Sequence, residues 1–377
     1  MKEVDVERLR AELLNLVRIR SFYGREADIA SYLVDRLSRI ADRVELMPVP
    51  ESGGNVIARF GADKGNNGRL LFLSHMDTVE LRGEWKRNPW GDMEDDKIFG
   101  LGVWDSKSSV ASMIEVANSI SEARGSLNRE IIFVFVSDEE GFSRGTYQLV
   151  KESKLKGVEF AVVGEPTSLK IMRGAYGRFV FDIEVRGRTG IGTESGGVNA
   201  VVEASKIVLH SAEFQKSHEG KGSMAPLSIK SPELVMDYPE ICVIRMDHHY
   251  PPGEAPEIVK KRFISFVNSA PVKAEVRIKL MKRPTPFMEP FSIEESNSFL
   301  QALKSASNEV LGEDLEIGIN GSVSAANYLY QFGKIPSVVL GPDGGNRHSS
   351  DEYVLFSSVE KLTRIFLKFL ERTAVSL

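Results

Sequence analysis

Short, continuous runs of apolar residues recur in the first half of the chain, and segments with apolar residues at helical spacing lie between them. The runs Arg69–Ser74, Glu130–Ser137 and Phe160–Val163 predict buried strands, because they are too short for helices and too uniformly apolar for half-exposed strands. The helical patterns lie near residues 4–20, 26–40, 106–123 and 144–153. This alternation of strands and helices indicates an α/β domain of the doubly wound kind.

After about residue 173 the pattern changes. Polar and apolar residues alternate in Phe179–Val185, Cys242–Met246 and Lys273–Leu280, which predicts half-exposed strands. Two helical stretches lie between them, and the order fits a β-α-β-β-α-β module inserted as one unit. The predicted boundaries are 1–172 for the first part of the larger domain, 173–286 for the inserted domain and 287–377 for the second part.

Composition narrows the class of protein. A chain of 377 residues with 42% hydrophobic and 27% charged residues is typical of a soluble globular protein with two domains. The net charge of −5 gives no electrostatic reason to expect nucleic acid or an anionic membrane as a partner. No run approaches the roughly 20 apolar residues of a membrane span. Cys242 is the single cysteine, so we expect no intrachain disulfide, no cysteine-rich zinc site and a cytoplasmic location.

Polar residues that can bind metals follow the predicted strands. His75 and Asp77 are two positions apart at the end of a strand, so their side chains would point to the same side. Ligand sites of open α/β sheets lie at this carboxyl edge. Other acidic or imidazole residues occupy strand ends or turn-rich loops, which gives a set of two imidazoles and three carboxylates: His75, Asp105, Glu140, Glu165 and His348. Such ligands suit zinc, manganese or cobalt.

Five ligands with one shared carboxylate would hold two metal ions about 3.5–4 Å apart, as in two-metal hydrolases. A metal pair lowers the pKa of a bridging water and polarises a carbonyl oxygen, and a separate carboxylate must then move the proton. Glu139, beside Glu140, is placed for that task. Each residue also has an ordinary explanation when taken singly, such as a helix N-cap for Asp105 or a surface loop for His348.

Five segments of the sequence resemble, in order, the motifs of the M20 metallopeptidase and deacylase family. They are Ser74–Val79, Gly100–Lys107, Asp138–Gly141, Gly164–Thr167 and Arg347–Tyr353. The family includes acetylornithine deacetylase, succinyl-diaminopimelate desuccinylase and carboxypeptidase G2, and the resemblance covers essentially the whole chain. It implies a mixed-sheet catalytic domain of the di-zinc exopeptidase type, with an inserted ferredoxin-like lid through which two chains form a homodimer.

The resemblance also implies roles for the metal-binding residues. Asp105 would bridge two divalent ions, most favourably Zn²⁺, with Co²⁺ or Mn²⁺ as alternatives. His75 and Glu165 would belong to different ions, and Glu140 and His348 would complete the two sites.

Two further residues would act beside the metals. Glu139 would be the general base and acid of the reaction, and Asp77 would orient His75. The glutamate at position 165 is similar to the deacylase and carboxypeptidase branches of the family.

The sequence departs from the family's pattern at three positions connected with substrate handling. Ile191 stands where most members have a lid histidine that stabilises the tetrahedral intermediate. His249 stands where an arginine usually precedes the aromatic-proline pair, and relatives often have an acidic residue near Ala325. The loss of one oxyanion donor typically costs about 10²–10³ in rate.

The leading hypothesis is a di-metal amidohydrolase that uses a metal-bridged water, with Glu139 as general base. Its substrate would be a small N-acyl amino acid, of the acetylornithine or carrier-linked lysine or ornithine type, or a short peptide. One alternative is a metallo-exopeptidase acting as a carboxypeptidase or dipeptidase. The substitution at Ile191 motivates another, a family member that binds metal but is impaired in catalysis.

Overall fold

The computed structural model describes residues 3–61, 64, 67–192, 196–233 and 236–375. The chain divides into two compact units. The large unit comprises Met1–Gly174, Ser292–Asn320 and Ser324–Leu377, and the small unit comprises Ala175–Phe291 and Gly321–Val323. None of the described helices is long and apolar enough to cross a lipid bilayer.

The α-helices of the described chain are α1 Val6–Arg18, α2 Ala27–Leu37, α3 Ser108–Glu122, α4 Arg144–Lys151, α5 Ala200–Ser211, α6 Phe214–Ser217, α7 Pro256–Asn268, α8 Ser298–Leu311, α9 Ala325–Gln331 and α10 Phe356–Thr373. Helices α1 to α4 match the helical patterns of the first half of the chain, whereas the short helices α6 and α9 were not predicted. Capping side chains fix several starts: Asp5 accepts from Arg8 N–H at the start of α1, and Asn297 accepts from Phe299 N–H at the start of α8.

The strands of the described chain build three sheets. They are β1 Arg43–Met47, β2 Asn55–Phe60, β3 Arg69–His75, β4 Asp92–Glu94, β5 Lys97–Phe99, β6 Glu130–Val136, β7 Val158–Val163, β8 Ile171–Ala175, β9 Gly177–Arg186, β10 Ser223–Lys230, β11 Ile241–Tyr250, β12 Glu275–Leu280, β13 Phe291–Ser292, β14 Ile317–Asn320, β15 Ser337–Val339, β16 Gly344–Gly345 and β17 Tyr353–Leu355.

The central sheet has the order β1-β2-β6-β3-β7-β15-β8-β13, with β14 paired to β8. Its middle strands β6, β3, β7 and β15 are parallel, whereas β1 with β2, β2 with β6, and β15 with β8 are antiparallel. Every residue of β6 is buried, as expected for a strand covered on both faces. Phe72 of β3 packs against Phe366 and Phe369 of α10, which places the core between sheet and helix. The mixed α/β fold class predicted from the sequence is confirmed.

A small antiparallel sheet, with the order β16-β17-β5-β4, joins two distant parts of the large unit. Tyr353 of β17 pairs with Phe99 of β5, so the segment that follows His348 lies beside the segment that leads to Asp105. The sequence analysis did not predict this sheet. Its strands have only two or three residues each, too few to show a period.

The small unit has a four-stranded antiparallel sheet in the order β10-β11-β9-β12. With α5 and α7 its chain order is β-α-β-β-α-β, the ferredoxin-like arrangement that the resemblance implied. Phe181 of β9 stacks on Phe263 of α7 at 3.9 Å between ring centroids, and Cys242 is buried in the same core. Strand β10 was not predicted, because its residues are mostly exposed and include Pro226.

Candidate metal centre

The end of strand β3 presents an imidazole with a defined orientation. Nδ1 of His75 lies 3.0 Å from the backbone carbonyl oxygen of Asp77 and 3.5 Å from the Asp77 carboxylate. Because a carbonyl oxygen can only accept, Nδ1 donates in this hydrogen bond, and Nε2 is the ring nitrogen that faces the other candidate ligands. A histidine fixed in this way is the usual form of a metal ligand.

Asp105 lies between the two imidazoles. Its Oδ1 is 3.0 Å from Nε2 of His75, and its Oδ2 is 3.3 Å from Nε2 of His348. Asp105 has an extended backbone, and helix α3 begins three residues later with Lys107 at its N-cap position. Asp105 therefore does not cap this helix, and its two oxygens face different imidazoles, as a shared ligand requires.

The remaining candidate ligands complete two neighbouring groups. His348 Nε2 is 2.8 Å from Glu140 Oε1, and His75 Nε2 is 3.7 Å from Glu165 Oε2. Ligand atoms that share one tetrahedral ion at about 2.1 Å lie roughly 3–4 Å apart. His75 and Glu165 are thus close enough for a single ion, which differs from the expected assignment of these two residues to different ions.

The donor atoms fit divalent cations. Oε1 of Glu165 is buried and has no hydrogen-bond partner within the described part of the chain. Potential ligand atoms lie within 4.8 Å of one another in two groups, His75 with Asp105 and Glu140, and His75 with Glu139 and Glu165. Crowded carboxylates with an unsatisfied oxygen form an environment that a cation would stabilise.

The electrostatics of the cluster support the same interpretation. Burial raises the pKa of Glu139 to about 8, and it also raises the pKa of Glu165 well above its usual range. Hydrogen bonds to Asp105 and Glu140 raise the pKa of His348 to about 10. These shifts arise because negative charge is concentrated in a poorly solvated place, as is common at functional sites.

Asp77 connects the end of β3 to the loop after β6. Its carboxylate accepts hydrogen bonds from the backbone N–H groups of Glu139, at 3.1 Å, and Glu140, at 2.9 Å. The sequence predicted Asp77 as the partner that orients His75. The carboxylate lies 3.5 Å from His75, while its hydrogen bonds go to the loop that carries Glu139 and Glu140.

Two buried carboxylates near the cluster were missed by the sequence analysis. Glu352 accepts from the backbone N–H groups of Gly102, Trp104 and Asp105 at 2.8–3.0 Å, and it thereby holds the turn that presents Asp105. Glu26 likewise accepts from the backbone N–H of Asp138, at 3.0 Å, beside Glu139. Glu352 lies within the motif around His348, but its inward direction could not be inferred from sequence, and no sequence signal marked Glu26.

The structure locates the three residues at which the sequence departs from the family's pattern. Ile191 is 41% exposed in the small unit and forms a β-bridge with Asp237. In the surrounding run, Thr193 and Glu194 lie outside the described residues. His249 is on β11, with Nδ1 3.7 Å from Asp247. Ala325 is the buried first residue of α9, whose N-cap is Ser324.

The fold and the cluster together define a class: an α/β protein with a candidate metal centre built from carboxylates and imidazoles. The sequence model of peptidase family M20/M25/M40 matches residues 71–372, so the chain belongs to this family. It is a metal-dependent hydrolase of amide or peptide bonds, and the predicted family is confirmed.

Similar proteins agree with this assignment. The chain is 25% identical over 354 residues to acetylornithine deacetylase of Aliivibrio fischeri (strain MJ11), which covers 91% of both chains. A tripeptidase of Staphylococcus aureus has the same fold, with a TM-score of 0.78, 22% identity, and coverage of 98% of this chain and 99% of the other. The YXEP protein of Bacillus subtilis, described as a dinuclear metal-binding peptidase, gives a TM-score of 0.68 at 16% identity, with 97% and 96% coverage.

Proposed function

We propose that this protein hydrolyses the amide bond of N-acyl amino acids, with two divalent ions held by His75, Asp105, Glu140, Glu165 and His348. The observation that carries the proposal is the position of Asp105, whose two oxygens lie 3.0 Å and 3.3 Å from different imidazoles. When bound, the ions would lower the pKa of a water and polarise the scissile carbonyl. From the distances, we assign His75 and Glu165 to one ion and Glu140 and His348 to the other, with Asp105 shared.

Glu139 is the proposed general base and acid. It is adjacent to Glu140, its backbone is fixed by Asp77, and burial raises the pKa of its carboxyl to about 8. A carboxylate with a raised pKa can take a proton from water and later return it to the leaving nitrogen. Asp77 would act as a positioning residue for His75 and for the Glu139 loop.

The similarity to acetylornithine deacetylase supports deacylation, at 25% identity. The test is a panel of N-acetyl and N-succinyl amino acids and dipeptides, offered to protein loaded with Zn²⁺, Co²⁺ or Mn²⁺. We expect turnover of at least one N-acyl amino acid, and a loss of about 10³-fold or more in Glu139→Gln with its metal content unchanged.

Other outcomes would redirect the proposal. Hydrolysis of dipeptides alone would favour the metallo-exopeptidase alternative. Stoichiometric metal binding without turnover of any panel member would favour the catalytically impaired alternative, whose motivation is Ile191. Metal binding at trace levels only would contradict both the metal assignment and the amidohydrolase proposal.

We further propose that the chain forms a homodimer through the small unit. Val202 and Leu209, two turns apart on α5, are 52% and 73% exposed, and large apolar side chains on one helix face often mark an interface. The choice of Zn²⁺ and the cytoplasmic location also stay predictions.

A further inference from the structure

Arg347 stands beside the candidate metal centre, although the sequence analysis gave it no role. Its Nε is 3.5 Å from Oδ2 of Asp105. The carboxylates of Asp105 and Glu165 both raise the pKa of this guanidinium, which keeps it positively charged beside the cluster. Its neighbour His348 contacts the same carboxylate oxygen at 3.3 Å. The chain therefore places a permanent cation at the point where the proposed reaction occurs.

Arg347 lacks the contacts of a structural counter-ion. Arg178, for comparison, holds Asp247 with two hydrogen bonds, at 2.8 Å and 3.0 Å. Arg347 makes one ion pair through Nε, and among the described residues we find no hydrogen bond to its two terminal nitrogens. Its side chain is 40% exposed. The forked end of the guanidinium thus remains available to a ligand from solvent.

A guanidinium with a free fork suits one ligand chemistry in particular. Two parallel N–H groups match the two oxygens of a carboxylate, and such bidentate pairs are among the strongest hydrogen bonds in proteins. In an N-acyl amino acid, the α-carboxylate carbon lies only roughly 3–4 Å from the scissile carbonyl carbon, as standard bond lengths require. A substrate whose carbonyl reaches the metal cluster would therefore bring its α-carboxylate within range of Arg347.

We propose that Arg347 is the specificity residue that binds the free α-carboxylate of the substrate. This inference rests on the proposed function and extends it: the enzyme selects acylated amino acids or peptides whose scissile bond adjoins a C-terminal residue. Substrates in which the same carboxylate is an amide are disfavoured. A carboxylate on the acyl group, as in a succinyl substrate, does not replace it.

The experiment compares each active N-acetyl amino acid with its carboxamide and with the N-succinyl carboxamide. For wild type we expect kcat/KM to be about 10²-fold higher for the free acid, the usual effect of leaving a charged hydrogen-bonding partner unmatched. Arg347→Gln removes this preference, mainly by raising the KM for the free acid. Arg347→Lys restores part of the preference, because lysine keeps the charge without the fork.

Arg364→Gln is the matched control. Arg364 on α10 is 41% exposed and pairs with Glu360 on the same helix, so this variant removes the same charge from a similarly exposed side chain. It should keep the preference for the free acid. Metal content, measured by elemental analysis, should be equal in wild type, Arg347→Gln and Arg364→Gln.

A binding measurement separates this inference from the proposed function. Calorimetry on the metal-loaded Glu139→Gln variant should show that the free acids bind more tightly than the carboxamides. The double variant with Glu139→Gln and Arg347→Gln should bind both equally. The role of Arg347 is refuted, and the proposed function stands, if an N-acyl amino acid is hydrolysed but Arg347→Gln lowers kcat/KM for acid and amide equally. A preference for the succinyl carboxylate has the same meaning. If the acids bind through Arg347 but wild type does not hydrolyse them, the proposed function is refuted and the role of Arg347 stands. If no panel member binds or reacts, both fail.

Discussion

The carboxylate of Asp77 accepts the backbone N–H of Glu140 at 2.9 Å, although the two residues are 63 positions apart in the sequence. The same carboxylate accepts the N–H of Glu139, and His75 lies 3.5 Å away. One buried side chain thus fixes an imidazole from β3 and a loop from β6. The parallel pairing of these strands, with His75 opposite Val136, makes the contact possible.

The first prediction concerns Asp77→Asn. An asparagine amide keeps one acceptor oxygen but places an NH₂ group against a backbone N–H, so the loop and His75 lose their fixed orientation. We expect metal affinity or turnover to fall about 10–100-fold, the usual effect of losing the partner of a metal-binding histidine. Competition with a chelator and steady-state kinetics measure both quantities. Asp182→Asn, at a surface pair with Arg245, is the control and should change neither.

The second prediction concerns Glu352→Gln. Glu352 is buried and satisfies three backbone N–H groups around Asp105, and glutamine can satisfy only part of them. We expect the free energy of unfolding of the metal-free protein to fall by about 2–3 kcal/mol, measured by urea titration. Glu360→Gln, at a surface pair on α10, should change it by less than about 0.5 kcal/mol. Equal effects of the two variants would contradict the assigned role of Glu352.

The third prediction concerns acid stability and His248. Burial lowers the pKa of His248 to about 4, and its Nε2 has no hydrogen-bond partner within the described chain. An unfolded histidine titrates near about 6.5, so between these values the unfolded state binds the extra proton. The neutral imidazole therefore contributes its full stabilisation above about pH 7. As the pH falls towards 4, the free energy of unfolding decreases by about 3 kcal/mol.

In His248→Gln, the free energy of unfolding should depend less on pH in this acidic range. The measurement is the urea midpoint between pH 7 and pH 4.5 for wild type and variant. His218→Gln, a variant at a more exposed position in the same unit, serves as the control and should keep the wild-type slope. Parallel pH profiles for wild type and His248→Gln would contradict the buried neutral state.

The fourth prediction tests the homodimer. Leu209→Asp places a charge on the exposed apolar face of α5, where burial in an interface would be costly. We expect wild type to have twice the 41.9 kDa chain mass by light scattering, and the variant to have the single-chain mass. Leu280→Asp, at an exposed position on β12, is the control for a charge placed elsewhere on the small unit. A monomeric wild type would refute the proposal.

Much of the fold follows from local patterns in the sequence. The apolar run Glu130–Ser137 corresponds to β6, and the helical pattern near residues 106–123 corresponds to α3. These elements are predictable because burial imposes a period of two or 3.6 on a continuous segment. The two-residue strand β16 and the mostly exposed strand β10 have no such period, and their pairing with neighbours is what defines them.

The sequence by itself determined the fold class, the family and the set of seven residues proposed for the site, because these depend on residue type, order and position at strand ends. Only the tertiary structure decided which of those residues lie next to one another. His75 lies next to Glu165, and Glu352 and Arg347 lie beside Asp105. The physical reason is that these contacts join segments as many as 247 residues apart. Such contacts depend on strand pairing and on the direction in which each buried side chain points, and no local pattern encodes either.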